Sequence, residues 1–244
     1  MKSLCLLSLL VGIASCIPVQ ITKNPNLFEG DMILTPEQKE WLFSTSESRN
    51  GVTSPLLRWP GGVVYYRMDS SISSSQQQLI RNSLAKISQV TCLRFLEGSN
   101  PQGHYIRVTN SASGCFSYVG YLRTVQQLNI GRGCEWEHII IHEFLHAVGF
   151  HHQQCSFERD DYVEIHLENV DANQKHNFDK YTNSQVTNYG TRYDYNSVMH
   201  YEANAFSKNG RPTMVAKFPE GANMGKATKM SQTDILKINK MYQC

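Results

Sequence analysis

Between residues 142 and 152 the chain reads His-Glu-Phe-Leu-His-Ala-Val-Gly-Phe-His-His. No other stretch constrains the fold as tightly. His142 and His146 are four apart, so on a helix they share one face, with Cβ atoms about 5–6 Å apart. Two imidazoles so placed can fill two corners of a tetrahedral metal site. Glu143 points about 100° round the helix from His142, beside the metal and not onto it, which suits a general base. Gly149 can end the helix in a left-handed turn, because it has no Cβ to clash. The chain then doubles back and His152 supplies a third nitrogen, leaving one position open. A surface histidine pair would satisfy His-Glu-x-x-His alone, but Gly149 and His152 argue against it. A structural zinc closed by Cys155 is the weaker alternative, because closed sites take four protein ligands and usually include cysteine.

A chain of 244 residues, 41% of them hydrophobic, allows one sizeable domain plus processing segments. The formal charge of +2 gives no reason to expect a nucleic-acid partner. Lys2 precedes an apolar run from Leu4 to Ile13, followed by the small residues Ala14, Ser15 and Cys16. Residues 1–16 therefore read as a signal peptide, and the run is too short for a membrane span. Ile13-Ala14-Ser15-Cys16 also resembles a bacterial lipoprotein box, but secretion to the extracellular space is the preferred reading. Of seven cysteines, Cys5 and Cys16 leave with the signal; the other five allow two bridges and one remainder.

Residues 17–49 are acidic and end in the polar run 44–51, where a cut between Arg49 and Asn50 would release a propeptide. Within this leader a short helical patch runs from Pro36 to Phe43. Further on, Trp59–Met68 reads as a turn followed by a strand, and Ser73, Ser74 or Ser75 caps a helix reaching about Val90. Strands are expected at Cys92–Leu96, Tyr105–Val108, Cys115–Gly120 and Gln126–Ile130, then the histidine helix from about Glu135 to Val148. Some forty polar, irregular residues follow, with Arg159, Asp160 and Asp161 as a charged network. Ser231 caps a last helix, Gln232–Tyr242. The fold class is α+β.

At this point four separated motifs resemble the astacin family of zinc endopeptidases, within the metzincins. They are the histidine signature with Arg159-Asp160-Asp161-Tyr162-Val163 after it, Ser197-Val198-Met199-His200-Tyr201, Phe28-x-Gly30-Asp31, and Cys92, Cys115, Cys134 and Cys244. The resemblance implies two subdomains: a twisted mixed sheet with helices, the zinc helix at the cleft, and an irregular C-terminal part ending in a helix. It implies one Zn²⁺ per chain on His142, His146 and His152, with peptide hydrolysis through a zinc-activated water and Glu143 as general base. Met199 would be the floor of the Met-turn, and Tyr201 a phenol that ligates the resting zinc or turns to the oxyanion. Asp31 would be the zinc ligand of the zymogen. The bridges would be Cys92–Cys244 and Cys115–Cys134, leaving Cys155 alone. His151 and His200 are expected to face away from the metal. The peptidase domain would span residues 50–244, acting as a monomer on protein or peptide substrates, with no nucleic acid and no membrane. The competing reading is a catalytically silent zinc-binding protein on the same scaffold. Two departures stand out. Gln153 replaces the glutamate that usually receives the new α-ammonium, and Gly225-Lys226-Ala227 replaces a Gly-Gln-Arg run lining the pocket after the scissile bond. A weaker preference for acidic residues there is the expectation.

Overall fold

The computed structural model describes residues 27–43 and 55–244; the signal-peptide reading and the Arg49–Asn50 cut lie outside the described residues. From the leader come β1 (Met32–Ile33) and α1 (Pro36–Phe43). They are followed by β2 (Val63–Met68), α2 (Ser74–Val90), β3 (Arg94–Glu97), β4 (Tyr105–Thr109), β5 (Cys115–Tyr118), β6 (Val125–Ile130) and α3 (Glu137–Ala147). The six strands form one sheet in the order β1-β5-β6-β4-β2-β3. Every neighbouring pair is parallel except β5 with β6, where Cys115 faces Ile130.

Alternation decides which face each strand buries. Val64 and Tyr66 of β2, Ile106 and Val108 of β4, and Leu128 and Ile130 of β6 all point into one core. Onto it α2 lays Ile80, Leu84 and Ile87. Of the three candidate serines, Ser73 is the cap: its hydroxyl accepts from the Gln76 amide, and the Gln76 side chain returns to the Ser73 N–H. Helix α3 is buried from His138 to Ala147, because the sheet and α2 lie on one side and the rest of the chain wraps the other. Phe144 sends its ring edge-on between Tyr66 and Phe95.

Two backbone bonds stop α3, from Gly149 N–H to the His146 carbonyl (2.8 Å) and from Phe150 N–H to the Leu145 carbonyl (2.9 Å). This is the paired closure of a helix ending on a left-handed residue. Gly149 has φ of 111°, a conformation that favours glycine, and a Cβ there would also push the Met241 methyl aside. Trp59 fastens the same end, its indole N–H donating to the Ala147 carbonyl at 2.9 Å.

Residues 153–231 are mostly single 3₁₀ turns and loops, as the polar sequence suggests. They also hold a ribbon that sequence reading missed, β7 (Val163–Ile165) paired antiparallel with β8 (Met214–Ala216). A second apolar cluster gathers Tyr193, Tyr195, Tyr201, Phe178, Phe206 and Met214 here. The last helix, α4 (Gln232–Tyr242), starts in a Ser231/Asp234 capping box. The Cys92–Cys244 bridge ties its end to the foot of α2, and Cys115–Cys134 closes the loop before α3. Cys155 is a free, buried thiol. Strand β3 begins at Arg94, two residues later than expected, because Cys92 and Leu93 are used in the turn after α2. Strand β1 was not expected. It is two residues long and exists only because Met32 and Ile33 pair with Ser117 and Tyr118.

Candidate metal centre

Three imidazoles meet at the end of α3, and the backbone decides which nitrogen each presents. His142 Nδ1–H donates to the Val198 carbonyl (2.8 Å), and His146 Nδ1–H to the Phe150 carbonyl (2.7 Å). A carbonyl only accepts, so in both rings the Nε2 lone pair is left pointing inward. His152 Nδ1 lies 2.7 Å from the Glu29 carboxylate, and its Nε2 likewise faces in. The His142 Nε2 is 3.1 Å from that of His146 and 3.3 Å from that of His152.

Asp31 completes the figure. Its Oδ2 is 3.3 Å from His142 Nε2 and 3.2 Å from His152 Nε2, and Oδ1 is 3.4 Å from His146 Nε2. A tetrahedral zinc with bonds of about 2.0–2.1 Å has ligand–ligand edges of about 3.3 Å. The four donors match those edges. Converging lone pairs without a cation repel, so this donor set fits Zn²⁺, and Asp31, His142, His146 and His152 are all buried.

The electrostatics point the same way. Burial would raise the Asp31 carboxyl, but the His152 and His146 charges and the ring hydrogen bonds hold it well below the usual range. Burial would lower His152, yet Asp31 and Glu29 lift it to about 9, while for His146 burial prevails and takes it to about 4. The two carboxylates, Asp31 and Glu29, thus favour positive charge at His152 but not at His146. Glu143, fully buried beside these rings, is pushed well above the ordinary carboxyl range by burial and then by Asp31. Neither of its oxygens has a hydrogen-bond partner among the described residues. A carboxylate so desolvated is a group set aside for a ligand or a proton.

Met199 and Tyr201 follow on the loop whose Val198 carbonyl orients His142. Met199 is buried in the main core, and its carbonyl accepts from Gln153 N–H at 2.9 Å. The Tyr201 ring sits 4.5 Å from that of His152, but its hydroxyl donates to the Glu29 backbone carbonyl, away from the imidazole nitrogens. His151 faces Tyr181 (2.9 Å) and His200 faces Tyr193 (2.7 Å), so neither joins the centre. Of the expected charged network Arg159 and Asp160 pair, and Lys180 joins them in place of Asp161.

Two residues escaped sequence reasoning. Asp234 accepts from Ser197 Oγ (2.6 Å), Val198 N–H (3.0 Å) and Ser231 N–H (3.0 Å), so α4 positions the carbonyl that orients His142. The sequence marked Ser231 as the cap, but nothing marked Asp234 or its reach to the metal site. Glu29 binds His152 and the Tyr181 hydroxyl, partners more than a hundred residues away that no local pattern reveals.

With this geometry in hand, comparison with known proteins is decisive. The model of the Astacin peptidase family matches residues 51–243. The chain belongs to the astacin family. A zinc metalloproteinase of Caenorhabditis elegans, nas-13, is 37% identical over 231 residues, covering 91% of this chain. Blastula protease 10 of Paracentrotus lividus is 38% identical over 231 residues, covering 89%. The chain spans 51% and 38% of the lengths of these two relatives. Among solved structures, the hatching enzyme HCE-1 of Oryzias latipes superposes with a TM-score of 0.70 at 35% identity, covering 77% of this chain and 93% of that one. The α+β architecture and the three-histidine zinc site are thus those of an astacin.

Proposed function

We propose that this astacin is a secreted zinc endopeptidase made as a latent precursor. Residues 1–16 serve as signal, 17–49 as propeptide and 50–244 as a monomeric peptidase domain. The observation that carries the reading is the unpartnered, buried Glu143 carboxylate beside three inward-facing Nε2 atoms. His142, His146 and His152 would hold zinc, which when bound supplies Lewis acidity toward a water and the scissile carbonyl. Glu143 takes the proton from the attacking water and hands it to the leaving amine. Its depth among apolar neighbours raises its proton affinity, which suits both transfers. Tyr201, released from the Glu29 carbonyl, donates a hydrogen bond from its hydroxyl to the developing oxyanion. Met199 packs under the site and takes no part in proton movement.

Latency rests on the leader. Asp31 occupies the fourth corner, Glu29 holds His152 and the Tyr201 hydroxyl, and β1 covers the sheet edge. The match of the family model from residue 51 supports a cut at Arg49–Asn50. Two disulfides support export to an oxidising compartment, and no helix among the described residues is long and apolar enough to cross a membrane.

The test is casein digestion by the full chain before and after cleavage at Arg49. Activity should appear on cleavage, and Asp31→Ala should release it beforehand. A zinc-loaded, cleaved protein that digests nothing is the silent binding protein instead. An Asp31→Ala protein that stays inactive until cut would place latency in bulk coverage and not in ligation.

A further inference from the structure

Beside the metal centre opens a cavity of about 170 Å³ lined by Asp31, His142, Tyr201, Glu202, Asn204 and Phe206, among others. Gly225 forms part of its wall, and the packing there is tight: a Cβ on Gly225 would lie 2.3 Å from Glu202 N and the Tyr201 carbonyl oxygen. The residue after Tyr201 is therefore fixed in place by backbone contact. Once Asp31 leaves with the leader, Glu202 is the one acidic residue among those lining the cavity.

Glu202 and the nearest basic residue in sequence to Gly225, Lys226, are unequally placed. Lys226 is exposed and does not line the cavity, whereas Glu202 is half-buried and does. Water screens an exposed ammonium strongly, and screens a charge on a partly desolvated wall less. The lysine offsets the glutamate without replacing it as the charge that a ligand meets.

We propose that Glu202 determines the specificity of this cavity, which accepts a lysine or arginine side chain adjacent to the cleaved bond and turns away aspartate and glutamate. The assignment rests on the endopeptidase reading above. It reverses the acidic preference that the arginine-bearing run implies for relatives, and it explains how a chain with Lys226 in that region departs from them. Asn204 also lines the cavity.

The experiment measures binding as well as cleavage. The zinc-loaded full chain, activated by cleavage, is titrated calorimetrically with short hydroxamates whose residue next to the chelating group is lysine, norleucine or glutamate. Lysine should bind about tenfold or more tightly than glutamate, as for a hydrogen bond to a charged group. Glu202→Gln, isosteric and half-exposed, should bring the two within about twofold; Lys226→Ala should widen the gap. Any pull of zinc on an acidic side chain is common to wild type and Glu202→Gln, so the difference isolates the carboxylate. Cleavage of a peptide library should show the same ranking at one position flanking the cut. Equal or glutamate-favouring binding in the wild type, or a preference untouched by Glu202→Gln, overturns the proposal. Absence of casein digestion with the lysine preference intact would instead overturn the endopeptidase reading and leave the cavity assignment standing.

Discussion

Residues 55–152 and residues 153–231 reach order by different routes. In the first, backbone ladders and helix bonds satisfy the main chain, and periodic apolar residues converge on one core. In the second, a two-stranded ribbon is the whole of the sheet, and the main chain is held by turns and by buried side chains such as Thr213, Asp234 and Gln154. Yet both halves aim the same imidazoles. The regular half sets the spacing of His142 and His146; the irregular half supplies the carbonyl that orients His142. Irregular backbone can therefore be as exact a positioning device as a helix, provided buried groups pin it.

Four measurements test that division, the strongest first. Glu143→Gln, in the regular half, should lower peptide hydrolysis by about 10²–10⁴-fold while zinc content and melting stay near wild type. Normal turnover in the zinc-loaded variant would remove the chemistry from α3. Next come the bridges. Cys92–Cys244 spans 152 residues and ties the first region to the end of α4, beyond the second, while Cys115–Cys134 spans 19 within the first. Chain entropy assigns them about 5 and about 3 kcal/mol. Replacing each pair by serine and comparing denaturation midpoints should reproduce that order, and the reverse order would mean that the halves are joined chiefly by packing.

Asp234→Ala should cost about 3 kcal/mol by stranding buried donors, and should weaken zinc binding about tenfold although Asp234 touches no ligand. Loss of stability with unchanged zinc affinity would mean that α4 does not aim His142. The smallest effect concerns Gln153, whose Oε1 accepts from Lys237 Nζ at 2.6 Å. With that amide already engaged, two extra residues before Asn50 should change the melting of the cleaved protein by less than about 1 kcal/mol equivalent, and by more in Gln153→Glu. A large change in the native background would contradict this.

Legibility in the sequence follows the same divide. The histidine spacing, the serine caps and the alternating strands announce the first half, because their determinants lie within a few residues of one another. The exact starts of β3 and α3 were less visible, since turn residues such as Leu93 and Trp136 carry ordinary strand or helix side chains. In the second half, β7 and β8 are three residues each and have no period to detect. Tyr201 and Met199 were read only through family resemblance, because a buried tyrosine or methionine has no distinctive local pattern. Glu29 and Asp234 act through partners distant in the chain, and that information exists only once the chain has closed.

The pairing of β1 with β5 has a consequence for the edge of the sheet. While the leader is in place, Cys115–Tyr118 is an interior strand, with Ser117 N–H given to the Asp31 carbonyl on one side and β6 on the other. Without β1 the same strand would be a sheet edge, its outward amides and carbonyls open to an extended chain. The opposite edge, β3, is four residues long and carries Arg94 and Glu97, which discourage such pairing. On the proposed latent-precursor reading, cutting the leader away would therefore exchange a paired β5 for an edge able to take an extended peptide.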